Sequence, residues 1–186
     1  MLTLINSMYQ FSEKFSTFCN SEKLRQELGL NILGIINTIS RKDFIFQEFN
    51  NCVKENNIRK IEDIKLETLD LLILYAHYIL EDNVISNEKL EDFSFLKLLF
   101  KIKEGDFRKY KNIEIKEILK KQFIRAYSDQ RIDNEEEMQS VNLQSLFDLS
   151  YDEFENLKKE EVINALLNGA NPKDLDIAKI PKGFNF

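Results

Sequence analysis

Apolar residues recur along this chain at intervals of three and four and show no sustained alternation in twos, so the sequence predicts helices throughout. A first helix is expected over Leu2 to Cys19, where Ile5, Met8, Phe11, Phe15 and Phe18 fall on one face. Asn20-Ser21 breaks it and caps a second, from Glu22 to about Thr38, with Gly29 and Gly34 as weak points. Ser40 is suited to cap a third, Arg41 to Glu55, which carries Phe44, Phe46, Phe49 and Val53 and closes at Asn56-Asn57. A fourth, Glu67 to Glu81, is apolar on nearly every side, the pattern of a helix at the buried centre of a bundle.

Capping signals mark the later helices. Ser86 opens one from Asn87 to about Lys103, and a short turn follows at Gly105-Asp106. Asp133, with Glu136 three residues on, forms a capping box for Asn134 to Asp148. Ser150 and Glu153 form another for Tyr151 to Asn168, which Gly169 and Pro172 then stop. The expected architecture is all-α, a single helical bundle of about seven to nine helices over residues 1–170, with a loosely placed tail at 171–186.

An internal echo sharpens that picture. Asp82 to Phe107 aligns without a gap on Asp129 to Phe154, 47 residues later, with eight identities in 26 positions. Asp82, Ile85, Asn87, Glu88, Leu96, Leu99, Phe100 and Phe107 match Asp129, Ile132, Asn134, Glu135, Leu143, Leu146, Phe147 and Phe154. The echo implies two pseudo-repeated helix–loop–helix units facing each other within a core at 66–170, with residues 1–65 as additional helices.

Composition agrees with a helical domain and narrows its function. Five glycines and two prolines in 186 residues are too few for a many-turned β-sandwich. Fifteen phenylalanines and no tryptophan point to a core of Phe, Leu and Ile. A net charge of −6 argues against a dedicated nucleic-acid binder, which must neutralise phosphates. Cys19 and Cys52 form no C-x-x-C pair; two free buried thiols are expected, with one disulfide as the alternative, and with the single His77 they make a poor zinc set. The start, MLTLINSMYQF, lacks a basic leader, and the apolar run Leu71 to Leu80 is about half a membrane span, so a cytoplasmic location is expected.

Candidate chemistry gathers in the two loops of the echo. Glu81, Asp82 and Glu88 belong to the first, and Asp129, Asp133, Glu135, Glu136 and Glu137 to the second. Clustered carboxylates suit hard cations, which makes Asp82, Glu88, Asp129 and Glu135 candidate ligands for Ca²⁺ or Mg²⁺. The same residue types at the same positions cap helices and complement their dipoles, which is the plainer role. The loops are not EF-hands, because the Ile comes three residues after the first Asp and the loop glycine is missing.

The pattern D-x-x-I-x-x-E after an apolar helix, followed by L-x-x-L-F and a G-D-F or D-E-F turn, resembles the tellurite-resistance TerB-like proteins over about Leu69 to Glu160. That resemblance implies a compact helical domain linked to metal ions and to stress or phage-defence complexes, without established enzymatic activity. Asp82, Glu88, Asp129 and Glu135 stand where the family's acidic residues stand, whereas Asn83 and Gln130 replace its usual glycine.

Two further features bear on function. Residues 97–121 hold nine Lys or Arg against four acidic residues, and Lys103, Arg108, Lys109 and Lys111 form a candidate phosphate-binding patch. A solvated helix end gives the same pattern. No nucleophile elbow, P-loop, dinucleotide fingerprint or zinc-protease motif is present, and no catalytic residue is assigned. The sequence reads as a non-enzymatic module that binds a protein partner, with a divalent cation as a candidate ligand. The alternatives are a metal-free adaptor or immunity-type protein, and a nucleic-acid-associated protein.

Overall fold

The computed structural model describes residues 9–82, 84–127 and 132–175, apart from the side chain of Lys23. Among these residues the chain is all-α, with no strand, as its periodicity predicts. The helices are α1 (Glu13–Cys19), α2 (Glu22–Glu27), α3 (Leu30–Ile39), α4 (Phe46–Glu55), α5 (Lys65–Ile79), α6 (Asn87–Leu99), α7 (Asp106–Tyr110), α8 (Asn112–Ala126), α9 (Asn134–Leu146) and α10 (Tyr151–Leu167). Short 3-10 turns lie at Ile61–Ile64 and Pro172–Asp174. The helices gather into two compact units: α1 to α6 in the first, and α7 to α10 with the short connection before Ser86 in the second.

Several boundaries differ from expectation, each for a local reason. α1 begins at Glu13, because Ser12 is extended (φ −62°, ψ 160°) and its hydroxyl caps Phe15 N–H at 3.0 Å. Residues 2–8 of the expected first helix, with Ile5 and Met8, lie outside the described residues. The expected 22–38 helix is two helices. Leu28 leaves the helical region at ψ 148°, and Gly29, at ψ 156°, becomes the N-cap of α3. Ser40 ends α3 rather than starting the next helix. The chain turns through residues 41–45, and Glu48 then reaches back to accept the Ile45 N–H at 3.3 Å, so α4 starts at Phe46. α8, which the sequence reading did not single out, occupies the charged stretch and turns Ile115, Ile118, Leu119 and Phe123 inward.

The later caps fall where they are expected. The Ser86 hydroxyl accepts the Lys89 N–H, Asp133 accepts the Glu135 and Glu136 N–H groups at 2.9 Å, and Ser150 and Glu153 cap each other reciprocally. Cys19 and Cys52 are both buried and unpaired.

The echo is deeper in the backbone than in the side chains. α9 begins and ends 47 positions after α6, and α8 begins and ends 47 positions after α5, although few residues match between the latter pair. Both α6 and α9 end in a Schellman turn. Ile102 N–H reaches Lys97 C=O at 2.9 Å and Leu149 N–H reaches Gln144 C=O at 3.1 Å. Lys101 (φ 54°) and Asp148 (φ 53°) occupy the left-handed position of each turn. Their Cβ atoms are strained there, and glycine would not be. Lys101→Gly and Asp148→Gly are each expected to stabilise the protein by about 0.5 kcal/mol, the relief of strain outweighing glycine's added chain entropy. Urea unfolding checks this, and a loss of stability at either position would contradict it.

Within the first unit, α5 packs against α3, α6 and the 61–64 turn. Leu69, Leu71, Leu72, Tyr75, Ala76 and Ile79 are fully enclosed. Phe15, Phe18 and Phe93 surround Tyr75 with ring centroids 5.0–6.3 Å away. Within the second, α8 packs on α7 and α10. Edge-on ring pairs join Phe107 to Phe147 (5.6 Å) and Phe123 to Phe154 (5.2 Å). Leu96, Leu99, Phe100 and Phe107, and their echoes Leu143, Leu146, Phe147 and Phe154, are all buried, so this part of the repeat is one of core positions.

Candidate functional site

α5 is apolar on nearly all sides, yet one stripe of it is only partly covered. Asp70, Leu74, His77 and Tyr78 are only partly buried, and Glu81 just beyond the helix is exposed. Two adjoining clefts open along this stripe, both within the first unit. One, of about 250 Å³, is walled by Phe18 of α1, Ser21, Leu24 of α2, Leu74, His77, Tyr78 and Glu81. The other, of about 310 Å³, is walled by Glu27 of α2 and by Asp70, Ile73, Leu74 and His77. Leu74 and His77 belong to both, so they form the ridge between the two lobes.

The lobes arise from how the chain enters the fold. The break at Leu28-Gly29 keeps α2 short, so Leu24 is buried while Glu27 remains exposed at the helix end. Phe18 packs on both Tyr75 and Tyr78, with centroids at 5.0 and 5.3 Å, and so sets one wall. The first lobe is therefore mainly apolar, and the second is bounded by two carboxylates. A concave apolar surface with a few polar groups at its rim is the usual form of a recognition site.

Of the four residues the sequence puts forward as cation ligands, Asp82 is engaged by lysines. Its Oδ2 accepts from Lys14 Nζ at 2.7 Å and its Oδ1 from Lys89 Nζ at 2.6 Å. Lys89 is 5% exposed and also donates to the Ile79 carbonyl at 2.9 Å, covering the end of α5. Burial pushes the Lys89 ammonium below its ordinary value, against the opposing pull of Asp82. Asp82 raises that of Lys14. A cation on Asp82 would have to displace two ammonium groups. Glu88 is exposed in the first turn of α6, Glu135 is exposed in the first turn of α9, and Asp129, with Asn83 and Gln130, lies outside the described residues. Among the described residues no group of three His, Cys, Asp or Glu side chains is placed to hold an ion.

The candidate phosphate-binding residues have local partners. The Arg108 guanidinium meets Glu153 at 2.5 Å, Lys111 meets Glu114 at 3.2 Å, and Lys109 lies over the Tyr110 ring at 4.8 Å. Lys103 is exposed at the end of the first unit. Glu153 also accepts from the Ser150 hydroxyl at 2.7 Å and the Ser150 N–H at 3.0 Å. Ser150 first, and then Arg108, holds its carboxyl down from the ordinary 4.5 to about 2. A depressed carboxylate contributes stability that is complete above its ordinary value and disappears as pH falls through the folded one. The wild-type melting temperature is therefore expected to fall more between pH 4.5 and 2 than that of Glu153→Gln. Parallel acid profiles would contradict the assignment.

Sequence reasoning found Glu81 as a loop carboxylate, but not the cleft that joins it to His77, Phe18, Leu24 and Glu27. It also passed over Asp92, which is fully buried on α6 and accepts hydrogen bonds from Tyr9, Ser12 and Tyr75. No helix among the described residues is long and apolar enough to cross a membrane. Comparison of the chain with known proteins finds no matching family model, no matching curated protein and no matching solved structure.

Proposed function

We propose that this chain is a non-enzymatic helical module that holds a protein partner in the α5 cleft of its first unit. The observation that carries this reading is the partly open stripe of a largely buried helix, apolar at its centre and bordered by Glu27, Asp70 and Glu81. A helix with the composition of α5 is normally enclosed on all sides. The resemblance to TerB-like proteins, a family linked to multi-protein stress and defence complexes, points the same way. The lysine pairs on Asp82 favour partner binding over cation binding at that loop, and the Arg108–Glu153 and Lys111–Glu114 pairs disfavour a nucleic-acid role.

Photo-crosslinking in the native host tests the reading. A benzophenone side chain in place of Tyr78, which lines the cleft, is expected to give a protein adduct. The same group in place of the exposed Tyr151 on α10 is the control and is expected to give none. Failure of position 78 to give an adduct would overturn the proposal.

A further inference from the structure

Asn168 is the one asparagine in the chain that is followed by glycine. It is the C-cap of α10, and both Asn168 and Gly169 are exposed. Among the described residues the Asn168 side-chain amide makes no hydrogen bond, so its Cγ is open to attack. Gly169 has a φ of 96° and open space where a side chain would stand, so nothing crowds its backbone nitrogen. In the intact turn the Gly169 N–H is held by the Leu166 carbonyl and the Ala170 N–H by the Ala165 carbonyl, both at 3.1 Å. These bonds close the helix end, where fraying costs least.

We infer that Asn168 is a self-modification site, whose side chain reacts with the Gly169 nitrogen when the end of α10 frays and whose product releases segment 170–175. Gly169 N bonds to Asn168 Cγ, the Cγ–Nδ2 bond breaks, and ammonia leaves with the amide proton. Water then opens the succinimide ring. Cleavage at Cγ leaves aspartate, and cleavage at the main-chain carbonyl leaves isoaspartate, whose chain runs through Cβ and Cγ. The balance is water in and ammonia out, with nothing oxidised.

The product acts on the fold in two ways. A carboxylate at the C-terminus of α10 opposes the helix dipole, where the neutral amide did not. Isoaspartate also lengthens the main chain, so the Ala170 N–H falls out of register with the Ala165 carbonyl. Beyond that bond Ala170 and Leu175 are buried, and the Asp174 carbonyl accepts the Ile132 N–H at 2.7 Å, next to the Asp133 cap of α9. Reaction at 168 therefore loosens segment 170–175 and, through Asp174, the entry to α9. All of these residues belong to the second unit, so the inference stands apart from the α5 cleft.

Ageing of the full chain in warm, mildly alkaline buffer tests it, with peptide mapping and isoaspartyl methyltransferase labelling as readouts. Aspartate and isoaspartate are expected to accumulate at 168 ahead of Asn20, which is exposed and followed by serine. Hydrogen exchange at the Ala170 and Ile132 amides is expected to quicken about tenfold in the aged chain, the loss of about one hydrogen bond. Asn168→Gln, whose longer side chain closes the ring poorly, is expected to stay unmodified and to keep its exchange rates on ageing. An Asn168 that survives ageing, or reacts no faster than Asn20, would overturn the inference. Modification that leaves Ala170 and Ile132 as protected as before would overturn it as well.

Discussion

Asp92→Ala is expected to cost about 4 kcal/mol and to release the segment from Tyr9 to Ser12 from the first unit. The Asp92 carboxylate is fully buried and gathers four donors. Oδ1 accepts from Tyr9 Oη (2.9 Å) and Ser12 N–H (3.1 Å), and Oδ2 accepts from Ser12 Oγ (2.5 Å) and Tyr75 Oη (3.0 Å). Among the described residues no lysine or arginine is paired with it, so hydrogen bonds alone offset its desolvation. Alanine leaves Ser12 N–H and the enclosed Tyr75 hydroxyl without their acceptor, each worth about 1–3 kcal/mol when buried unsatisfied. Burial, and then the same carboxylate, push the Tyr9 and Tyr75 hydroxyls well above their ordinary value, so both remain donors at any physiological pH.

Asp92→Asn keeps the shape but turns one acceptor into a donor, and a smaller loss of about 2 kcal/mol is expected. Urea unfolding measures both losses. Hydrogen exchange of the α1 amides distinguishes local release from a global effect. A loss below about 1 kcal/mol for Asp92→Ala would show that the network does not tie α1 to α6.

The second large effect is expected at Asp82. Asp82→Ala removes a counter-ion from the buried Lys89 ammonium and should cost about 2 kcal/mol, moderated because Asp82 is half exposed. Lys89→Met, of similar length and without charge, should be nearly neutral, and in that background Asp82→Ala should cost much less. The double-mutant cycle is expected to give a coupling of about 1–2 kcal/mol. The sign with pH is fixed by the direction of the Lys89 shift. A lysine whose folded value lies below its ordinary 10.5 gains stability as pH rises through that interval, because the unfolded chain then holds the extra proton. Asp82→Ala should therefore recover part of its loss on the alkaline side. Additive variants with no alkaline recovery would contradict the pairing.

Much of the fold was legible because its signals are local. The caps at Ser86, Asp133, Ser150 and Gly169 each act within four residues, and the all-round apolar character of α5 needs no knowledge of its neighbours. The 47-residue echo is visible because eight positions in it are identical; five of these are apolar, and four of the five are buried in both copies. Its extension to α5 and α8 was not visible. Helix length and phase are kept there, but only Glu67 with Glu114 and Leu72 with Leu119 are identical, while Leu69 faces Lys116 and Tyr75 faces Gln122, so side chains carry little trace of it. α8 itself was obscured by its lysines and glutamates, which coat a narrow apolar stripe.

The site was less legible, because its parts come from distant positions. Asp92 reads as an ordinary surface residue of an amphipathic helix until Ser12, 80 residues away, is placed beside it. Asp82 reads as a free loop carboxylate until Lys14, 68 residues away, reaches it. The cleft is walled by residues of α1, α2 and α5 brought together by tertiary packing, which periodicity does not encode.

The measurement that bears most directly on partner binding is photo-crosslinking from position 78 in the native host, repeated with Leu74→Arg in the same chain. The account predicts one dominant protein adduct that disappears when arginine fills the ridge, with the helical fold unchanged by circular dichroism. An adduct that persists with Leu74→Arg, or none from position 78 at the outset, would contradict it.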